Sequence, residues 1–426
     1  MVFFKRGGRV KVNIITLGCK VNTYESEIIK EKFLANNYII DEYNPDIVIV
    51  NTCSVTNNAD NKSKKMIRRI RRENPKTILI VCGCASQNHQ SDLADLNIDI
   101  LLGTKDKTKI IEILNKYFKT KEKYQKLYEL KTVEFEDMVV KKFTNQTRAF
   151  IKIQDGCNNY CSYCIIPYLR GNIRFKEFNK AFEEAEVLVE NKHKEIVLTG
   201  IHTGSYPKLP ELINKMTQIK DLNRIRISSI EITEINNEFL SMLKSNPKIC
   251  NHLHIPLQSG SDKILKLMNR KYDKKYFIKV INDIRKIKPD ISITTDVIVG
   301  FPGETENDFK DTMVFCQTLE FSKIHVFPYS LRKNTKAEQL PNHIETKIKK
   351  MRSSMLTKIS DELEKNYYKK FIGKELEIIV EEVNDNISVG HTGNYLKVLV
   401  YDKLLPNEIY KIKIESLKKK IVIGVI

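Results

Sequence analysis

Short apolar runs alternate with amphipathic stretches over the first hundred residues. Val12–Leu17, Asp46–Val50, Thr77–Val81 and Ile98–Leu102 read as strands, and Glu25–Ala35 and Asn57–Arg72 as helices between them. Strands that stay apolar without alternating are buried on both faces, so this order predicts a parallel sheet covered by helices. From about Lys119 to Asn145 the chain turns polar and charged, which reads as a linker with a little structure of its own. Apolar strand candidates then restart at Ala149, Ile196, Ile225, Leu253, Ile291 and Ile324, with helical patterns such as Ala181–Glu190 and Glu304–Leu319 between them. Six β/α repeats predict an open or partial barrel, smaller than the eightfold closed one. A long charged helix, about Ile344 to Lys370, leads out of it.

From Phe371 the period changes. Leu376, Ile378 and Val380 alternate with polar residues, as do Leu396, Val398 and Val400, with Gly390 and Gly393 between the two sets. That is the pattern of half-buried strands, and it predicts a small β-barrel of OB-like size.

No apolar run approaches the roughly 18 residues of a membrane span, and Met1–Val10 shows no leader pattern. A cytoplasmic chain without a membrane partner is expected. The balance of 72 Lys and Arg against 53 acids, a net charge of +19, points to a polyanionic partner, nucleic acid first. A composition rich in Lys, Ile and Asn throughout is the plainer source of that charge. In a reducing compartment the nine cysteines are metal ligands or buried thiols rather than a disulfide framework.

Cys157, Cys161 and Cys164 form C-x3-C-x2-C directly after the strand Ala149–Gln154. Four thiolates saturate a cubane iron–sulfur cluster. Three close cysteines leave one iron open, and the amino and carboxylate groups of S-adenosylmethionine (SAM) can chelate it. An electron from the cluster then breaks a carbon–sulfur bond of the sulfonium, giving a 5′-deoxyadenosyl radical. The alternative is a zinc knuckle with a histidine as fourth ligand, but no His lies between His89 and His193.

Cys19, Cys53 and Cys84 are distant in sequence, yet each ends a predicted strand. In an open parallel sheet the loops after the carboxyl ends gather on one edge, so three thiolates meet there. Glycines before Cys19 and Cys84 let the backbone turn closely around a bulky group. Three ligands again leave an iron free, this time for an external sulfur. Buried structural cysteines are the competing reading. Cys82 still lies within its strand, and Cys250 and Cys316 lack partners at ligand spacing, so these three read as core thiols.

Thr16-Leu17-Gly18-Cys19-Lys20-Val21-Asn22, Asn51-Thr52-Cys53-Ser54-Val55-Thr56, Gly83-Cys84-Ala85-Ser86-Gln87 and the Cys157/Cys161/Cys164 loop together resemble the methylthiotransferase family of radical SAM enzymes. The resemblance runs from about Lys11 to Ile426. Gly18-Cys19-Lys20-Val21-Asn22, Gly156-Cys157-Asn158-Asn159 and Cys164-Ile165-Ile166-Pro167 most resemble its bacterial branch acting on threonylcarbamoyladenosine in tRNA. The isopentenyladenosine branch and the ribosomal-protein branch are similar to Gly-Cys-Gln-Met-Asn and Gly-Cys-Pro-Lys-Asn at the first site. The family's usual Arg-Ser-Arg appears here as Arg174-Phe175-Lys176.

The resemblance implies an α/β fold. A parallel-sheet, flavodoxin- or Rossmann-like domain would span residues 10–122 and a linker 123–142. A partial (β/α)6 radical SAM barrel would follow over 143–365, and an OB-like TRAM barrel for RNA over 366–426. It also implies two [4Fe-4S] clusters, with SAM on the second trio.

Two stretches look like SAM-binding loops at strand ends: His254–Ser261, with Gln258 and Ser259, and Asp296–Glu304, with Gly300 and Glu304. Gly200 follows another strand and offers backbone groups to the methionyl end, and Glu231 is a candidate ribose partner. An ordinary turn is the competing reading of each loop alone. The helix Lys62–Arg72 holds seven basic residues and no acid, with Met66, Ile67 and Ile70 as its inward stripe. Lys64, Lys65, Arg68, Arg69, Arg71 and Arg72 are candidate RNA contacts there, with Arg170 and Arg174 beyond the second trio. A solvated amphipathic face is the competing reading. Lys418-Lys419-Lys420 in the β-rich tail fits tracking of an RNA backbone.

These readings together predict a tRNA methylthiotransferase. It would act on threonylcarbamoyladenosine in the anticodon stem-loop, next to the anticodon, with an electron donor such as flavodoxin or ferredoxin and no DNA partner. Isopentenyladenosine or a ribosomal-protein aspartate is the alternative substrate. A zinc-bearing RNA-binding protein without turnover is the alternative of another class.

Overall fold

A computed structural model of the chain describes residues 9–88, 93, 95–130, 132–144, 146–418 and 420–426. The leader reading of the first eight residues and the role given to Lys419 lie outside the described residues. The chain divides into two compact units whose segments interleave. The first contains Met1–Val140, Lys152–Lys176 and Ser330–Glu338; the second contains Lys141–Ile151, Glu177–Tyr329 and Gln339–Ile426.

The first unit is built on a six-stranded sheet in the order β2-β1-β3-β4-β5-β6. Its strands are β1 (Lys11–Thr16), β2 (Ile39–Ile40), β3 (Ile47–Thr52), β4 (Ile78–Gly83), β5 (Ile100–Leu102) and β6 (Tyr124–Lys126), and every pairing is parallel. The unbroken apolar runs are explained by two cores. Ile47 and Ile49 pack with Ile29 and Phe33 of helix α1 (Lys20–Ala35) and with Ile110 and Leu114. The alternate residues Val48 and Val50 face the other way, onto Ile67 and Ile70 of helix α2 (Asn57–Glu73). Each fully buried aliphatic side chain contributes about 1.5–3 kcal/mol, so neither face tolerates a polar register.

The stretch 123–142, expected to be a linker with a little structure, supplies the three-residue β6 to the sheet and buries Leu130, Met138 and Val140.

The second unit carries the β/α repeats. The six strands of the repeats form two three-stranded sheets, in the orders β11-β10-β7 and β12-β13-β14. They are β7 (Arg148–Lys152), β10 (Glu195–Thr199), β11 (Arg224–Ile227), β12 (His252–His254), β13 (Ser292–Val299) and β14 (Lys323–Pro328). A single parallel bridge, Ile225 to Ile249, lies in the gap between them. This is the partial barrel expected. A helix over Thr346–Lys369 leads to β15 (Glu375–Asn384), β16 (Ile387–Thr392), β17 (Lys397–Val400), β18 (Ile409–Lys418) and β19 (Ile421–Val425), which close a barrel in the order β15-β16-β17-β19-β18. Its core gathers the alternating residues Ile378, Val380, Val398, Val400, Ile412 and Ile414. Glu195, Arg224 and Arg226 are buried together, and Arg224 donates to the carbonyls of Glu377 and His391 on the small barrel. Among the described residues no helix is long and apolar enough to cross a membrane.

Candidate functional site

Cys19 follows β1, Cys53 follows β3, and Cys84 opens helix α3 (Cys84–Asn88) after β4. These three strands are neighbours, and their carboxyl ends share one edge. Two side chains stitch the loops together. Asn22 donates to the carbonyls of Leu17 (2.7 Å) and Thr52 (2.9 Å), tying the Cys19 loop to the Cys53 loop. Thr52 Oγ1 donates to the Cys82 carbonyl (2.7 Å) and accepts from the Ala85 amide (3.2 Å), tying in the Cys84 loop. The glycines matter here. Gly18 has φ +106°, and a Cβ on it would lie 2.6 Å from Cys53 Cβ and 2.7 Å from Cys53 Sγ. Gly83 has φ +101°, and its Cβ would lie 2.5 Å from the Thr52 carbonyl.

Cys53 and Cys84 are buried, and Cys19 is exposed. Burial pushes the Cys53 thiol up to about 11 and raises Cys84 too, against the pull of the Arg170 guanidinium. Cys82 is buried on the α1 face of the sheet with Ile29 and Ile49, as a core thiol, and burial raises it to about 12. Cys250 and Cys316 are likewise buried.

The second trio belongs to the same compact unit. Gly156 (φ +76°) turns the chain so closely that a Cβ would lie 2.0 Å from the Asn172 carbonyl. The Cys157 amide donates to Gly171 (3.1 Å) and the Cys164 amide to Cys161 (2.9 Å), which curls the loop. Helix α4 (Ile166–Arg170) follows. Ile165 and Leu169 pack on Cys84, so the loop carrying one trio rests against a cysteine of the other. Tyr160, at φ +45°, and Tyr168 are exposed beside this loop, edge to face at 5.9 Å.

Beneath the two trios lies a buried charge network. Glu25 accepts from Arg170 (2.6 Å) and Lys152 (2.8 Å) and pairs with Lys107 (3.1 Å). Asp155 pairs with Lys152 (2.7 Å), Arg174 (2.9 Å) and Arg170 (3.5 Å). Although burial alone would raise both carboxyls, the surrounding cations hold them far below the usual carboxylate range.

Arg170 is fully buried, and its Nη2 donates to Asn22 Oδ1 at 2.9 Å. The expectation that it contacts RNA is corrected: its guanidinium is enclosed inside the protein. Arg174 is mostly buried and holds Asp155 and the Asn172 carbonyl (3.2 Å), so it too is internal. Arg332 was invisible in the sequence. It is buried in this unit and bonds Ser54 Oγ (2.9 Å), Asn57 Oδ1 (2.6 Å) and Asp60 (2.6 Å), anchoring the loop after Cys53.

On helix α2, Lys65, Arg68, Arg69 and Arg72 are exposed and Lys64 is half-buried. Arg69 pairs with Glu73 at 3.0 Å. Arg71 is not available as expected, because it pairs with Asp99 (2.8 Å) and bonds the Thr77 carbonyl (2.9 Å).

The predicted SAM loops lie in the second unit. Gly200 follows β10 and is half-buried. Glu231 pairs with Arg270. Gln258 adopts φ +68° and bridges to Val297 of β13. Gly300 has φ +71°, and its amide donates to Glu304 Oε2 at 2.6 Å. Two side chains turn inward, contrary to expectation. Glu304 is buried on Arg352 (2.5 Å), and Ser259 is fully buried against Thr312 (3.4 Å). They shape their loops rather than face a ligand.

The amino-terminal edge fits a multi-iron cluster. It offers three thiols, a cradle at Gly18 that any Cβ would fill, and a buried Arg170 Nε without a hydrogen-bond partner among the described residues. Among the described residues no three His, Cys, Asp or Glu side chains converge tightly enough for one metal ion.

The family model described as the radical SAM superfamily matches residues 151–316, and that of the uncharacterized protein family UPF0004 matches 11–103. The threonylcarbamoyladenosine tRNA methylthiotransferase MtaB of Bacillus subtilis (strain 168) is 40% identical over 400 residues, covering 90% of this chain and 89% of its own. The tRNA-2-methylthio-N(6)-dimethylallyladenosine synthase of Caldicellulosiruptor saccharolyticus is 35% identical over 412 residues, covering 92% of this chain and 86% of its own. The radical SAM methyltransferase TsrM of Kitasatospora setae, solved with cobalamin and a [4Fe-4S] cluster, shares the fold. Its TM-score is 0.57 at 14% identity, over 78% of this chain and 77% of its own.

Fold and matched domain define a radical SAM enzyme, a class that works with SAM and a [4Fe-4S] cluster. Within that class, the chain belongs to the radical SAM methylthiotransferase family.

Proposed function

We propose that this enzyme converts N6-threonylcarbamoyladenosine beside the anticodon of tRNA into its 2-methylthio derivative. Cys157, Cys161 and Cys164 hold the cluster that takes SAM, and Cys19, Cys53 and Cys84 hold a second [4Fe-4S] cluster. The observation that carries the reading is the packing of Ile165 and Leu169 on Cys84, which brings two incomplete cysteine trios together in one unit. The 40% identity to a relative named for threonylcarbamoyladenosine supports that substrate over the dimethylallyl one.

When bound, SAM and the clusters supply an organic radical and a methylated sulfur, the tools that an unactivated adenine C2–H demands. The chain's own residues do the holding. Asn22 and Thr52 fix the three amino-terminal loops at one spacing, and Gly18 clears the volume beside Cys53. The backbone at Gly200, Gln258 and Gly300 lines the SAM site, and Glu231, steadied by Arg270, meets the ribose. Lys64, Lys65, Arg68, Arg69 and Arg72 of helix α2 meet RNA phosphates, and Lys418 and Lys420 of the small barrel track the backbone. The target base leaves its stack to be reached. The reaction runs in the cytoplasm, with a flavodoxin or ferredoxin as electron donor.

Deleting the gene and digesting total tRNA for mass spectrometry tests the substrate. The 2-methylthio-threonylcarbamoyl nucleoside disappears and its unthiolated precursor accumulates. Unchanged levels, or loss of the isopentenyl derivative instead, defeat the assignment.

A further inference from the structure

The network beneath the cysteines contains more positive than negative charge. Lys107, Lys152 and Arg170, all buried, and the partly buried Arg174 pair with Glu25 and Asp155. A third carboxylate, the half-buried Glu136, accepts from the Thr108 amide (2.8 Å) and hydroxyl (2.7 Å) and acts on Lys107 from further out. A buried charge without a counter-charge is costly, so the net positive charge that remains favours an anion nearby.

Arg170 points to where those anions belong. It ends the helix whose Ile165 and Leu169 pack on Cys84. One arm reaches Asn22, whose Oδ1 lies 3.9 Å from Cys19 Sγ. Its side chain also hydrogen-bonds the Cys84 thiol, and its Nε is buried without a hydrogen-bond partner among the described residues. Its charge is felt by Cys84, Cys19 and Cys53 alike.

A cluster at the site would supply that negative charge. An oxidised, doubly positive four-iron core with three thiolates carries one net negative charge. An anionic sulfur ligand on the fourth iron would bring this to two, and the net positive network beneath favours that added anion. We propose that Arg170 is a positioning residue, whose buried charge holds an anionic sulfur species, hydrosulfide or an alkanethiolate, at the vacant position of the Cys19/Cys53/Cys84 site. This rests on the two-cluster reading above.

The test uses the full chain, reconstituted anaerobically, with Cys157, Cys161 and Cys164 replaced by alanine so that only the amino-terminal cluster is seen. Methanethiolate is the probe, and the readouts are its affinity and the cluster's midpoint potential followed by electron paramagnetic resonance. Arg170→Gln weakens methanethiolate binding by about tenfold or more and moves the potential negative, because a nearby unit charge is removed. Arg170→Lys restores most of both. Glu25→Gln, nearly isosteric, moves both readouts the opposite way, and it carries the test if Arg170→Gln does not fold.

Shifts of the same sign in the two glutamine variants, or none, overturn the proposal and leave Arg170 a purely structural residue. If the background protein holds no iron, the two-cluster reading falls, and this inference with it.

Discussion

Replacing Gly18 by alanine perturbs the cysteine edge at one atom. The new Cβ would lie 2.6 Å from Cys53 Cβ, 2.7 Å from its Sγ and 3.3 Å from Asn22 Nδ2, on a backbone held at φ +106°. The strained backbone costs about 1–3 kcal/mol, and overpacking a filled site about 1–3 kcal/mol more. A sum of about 2–6 kcal/mol falls short of the upper range of domain stability, about 5–15 kcal/mol. Relief is most easily found by displacing Cys53, which also loosens the Asn22 bonds to Leu17 and Thr52. Anaerobic iron and sulfide analysis therefore drops from about eight irons per chain to about four, while 5′-deoxyadenosine release from SAM persists. Gly373→Ala is the control: φ is +84°, but nothing lies within 4 Å of its Cβ. It lowers Tm slightly and keeps all the iron. A Gly18→Ala protein with a full complement of iron would refute the claim that this cradle shapes a cluster site.

Three further outcomes follow from the same structure. Thr52→Val leaves the Cys82 carbonyl and Ala85 amide without their buried partner, costs about 1–3 kcal/mol, and shows as a lower urea midpoint and faster iron loss to a chelator. Lys65→Glu with Arg68→Glu, both exposed on helix α2, weakens tRNA binding and flattens its salt dependence in filter-binding titrations, without changing Tm. Glu195 is buried, which alone would raise its carboxyl, but Arg226 at 2.6 Å holds it below the ordinary 4.5. Its folded value is depressed, so its contribution to stability is present above about pH 4.5 and is lost as pH falls through that lower value. Acid denaturation of Glu195→Gln is correspondingly less steep below pH 4.5 than that of the unmodified chain.

The cysteine edge was legible because a parallel sheet converts sequence into place. Strands apolar on both faces fix the layer, and a cysteine just past each carboxyl end must then fall on one edge, as Cys19, Cys53 and Cys84 do. Arg170 was misread because a basic residue beside a cysteine loop resembles a surface cation, and its partner Glu25 is 145 residues away. The clue was Glu25 itself, a carboxylate within the buried stripe of α1 with Val21, Ile28 and Ile29. A charge in an apolar stripe announces an interior partner. The stretch 123–142 hid its role because Leu130, Met138 and Val140 follow no regular period and β6, three residues long, is an edge strand.

The interleaving of the two units limits how this protein can be divided. A fragment ending at Val140 carries Cys19, Cys53 and Cys84 but lacks Lys152–Lys176 and Ser330–Glu338. It would strand Glu25 and Lys107 in an interior stripped of Arg170, Asp155 and Lys152. Grafting the amino-terminal sheet between relatives by a single crossover therefore breaks an ionic lattice that two separate lengths of chain supply together, and parts Asp60 from Arg332 of the third. Viable chimaeras would have to exchange all three segments at once.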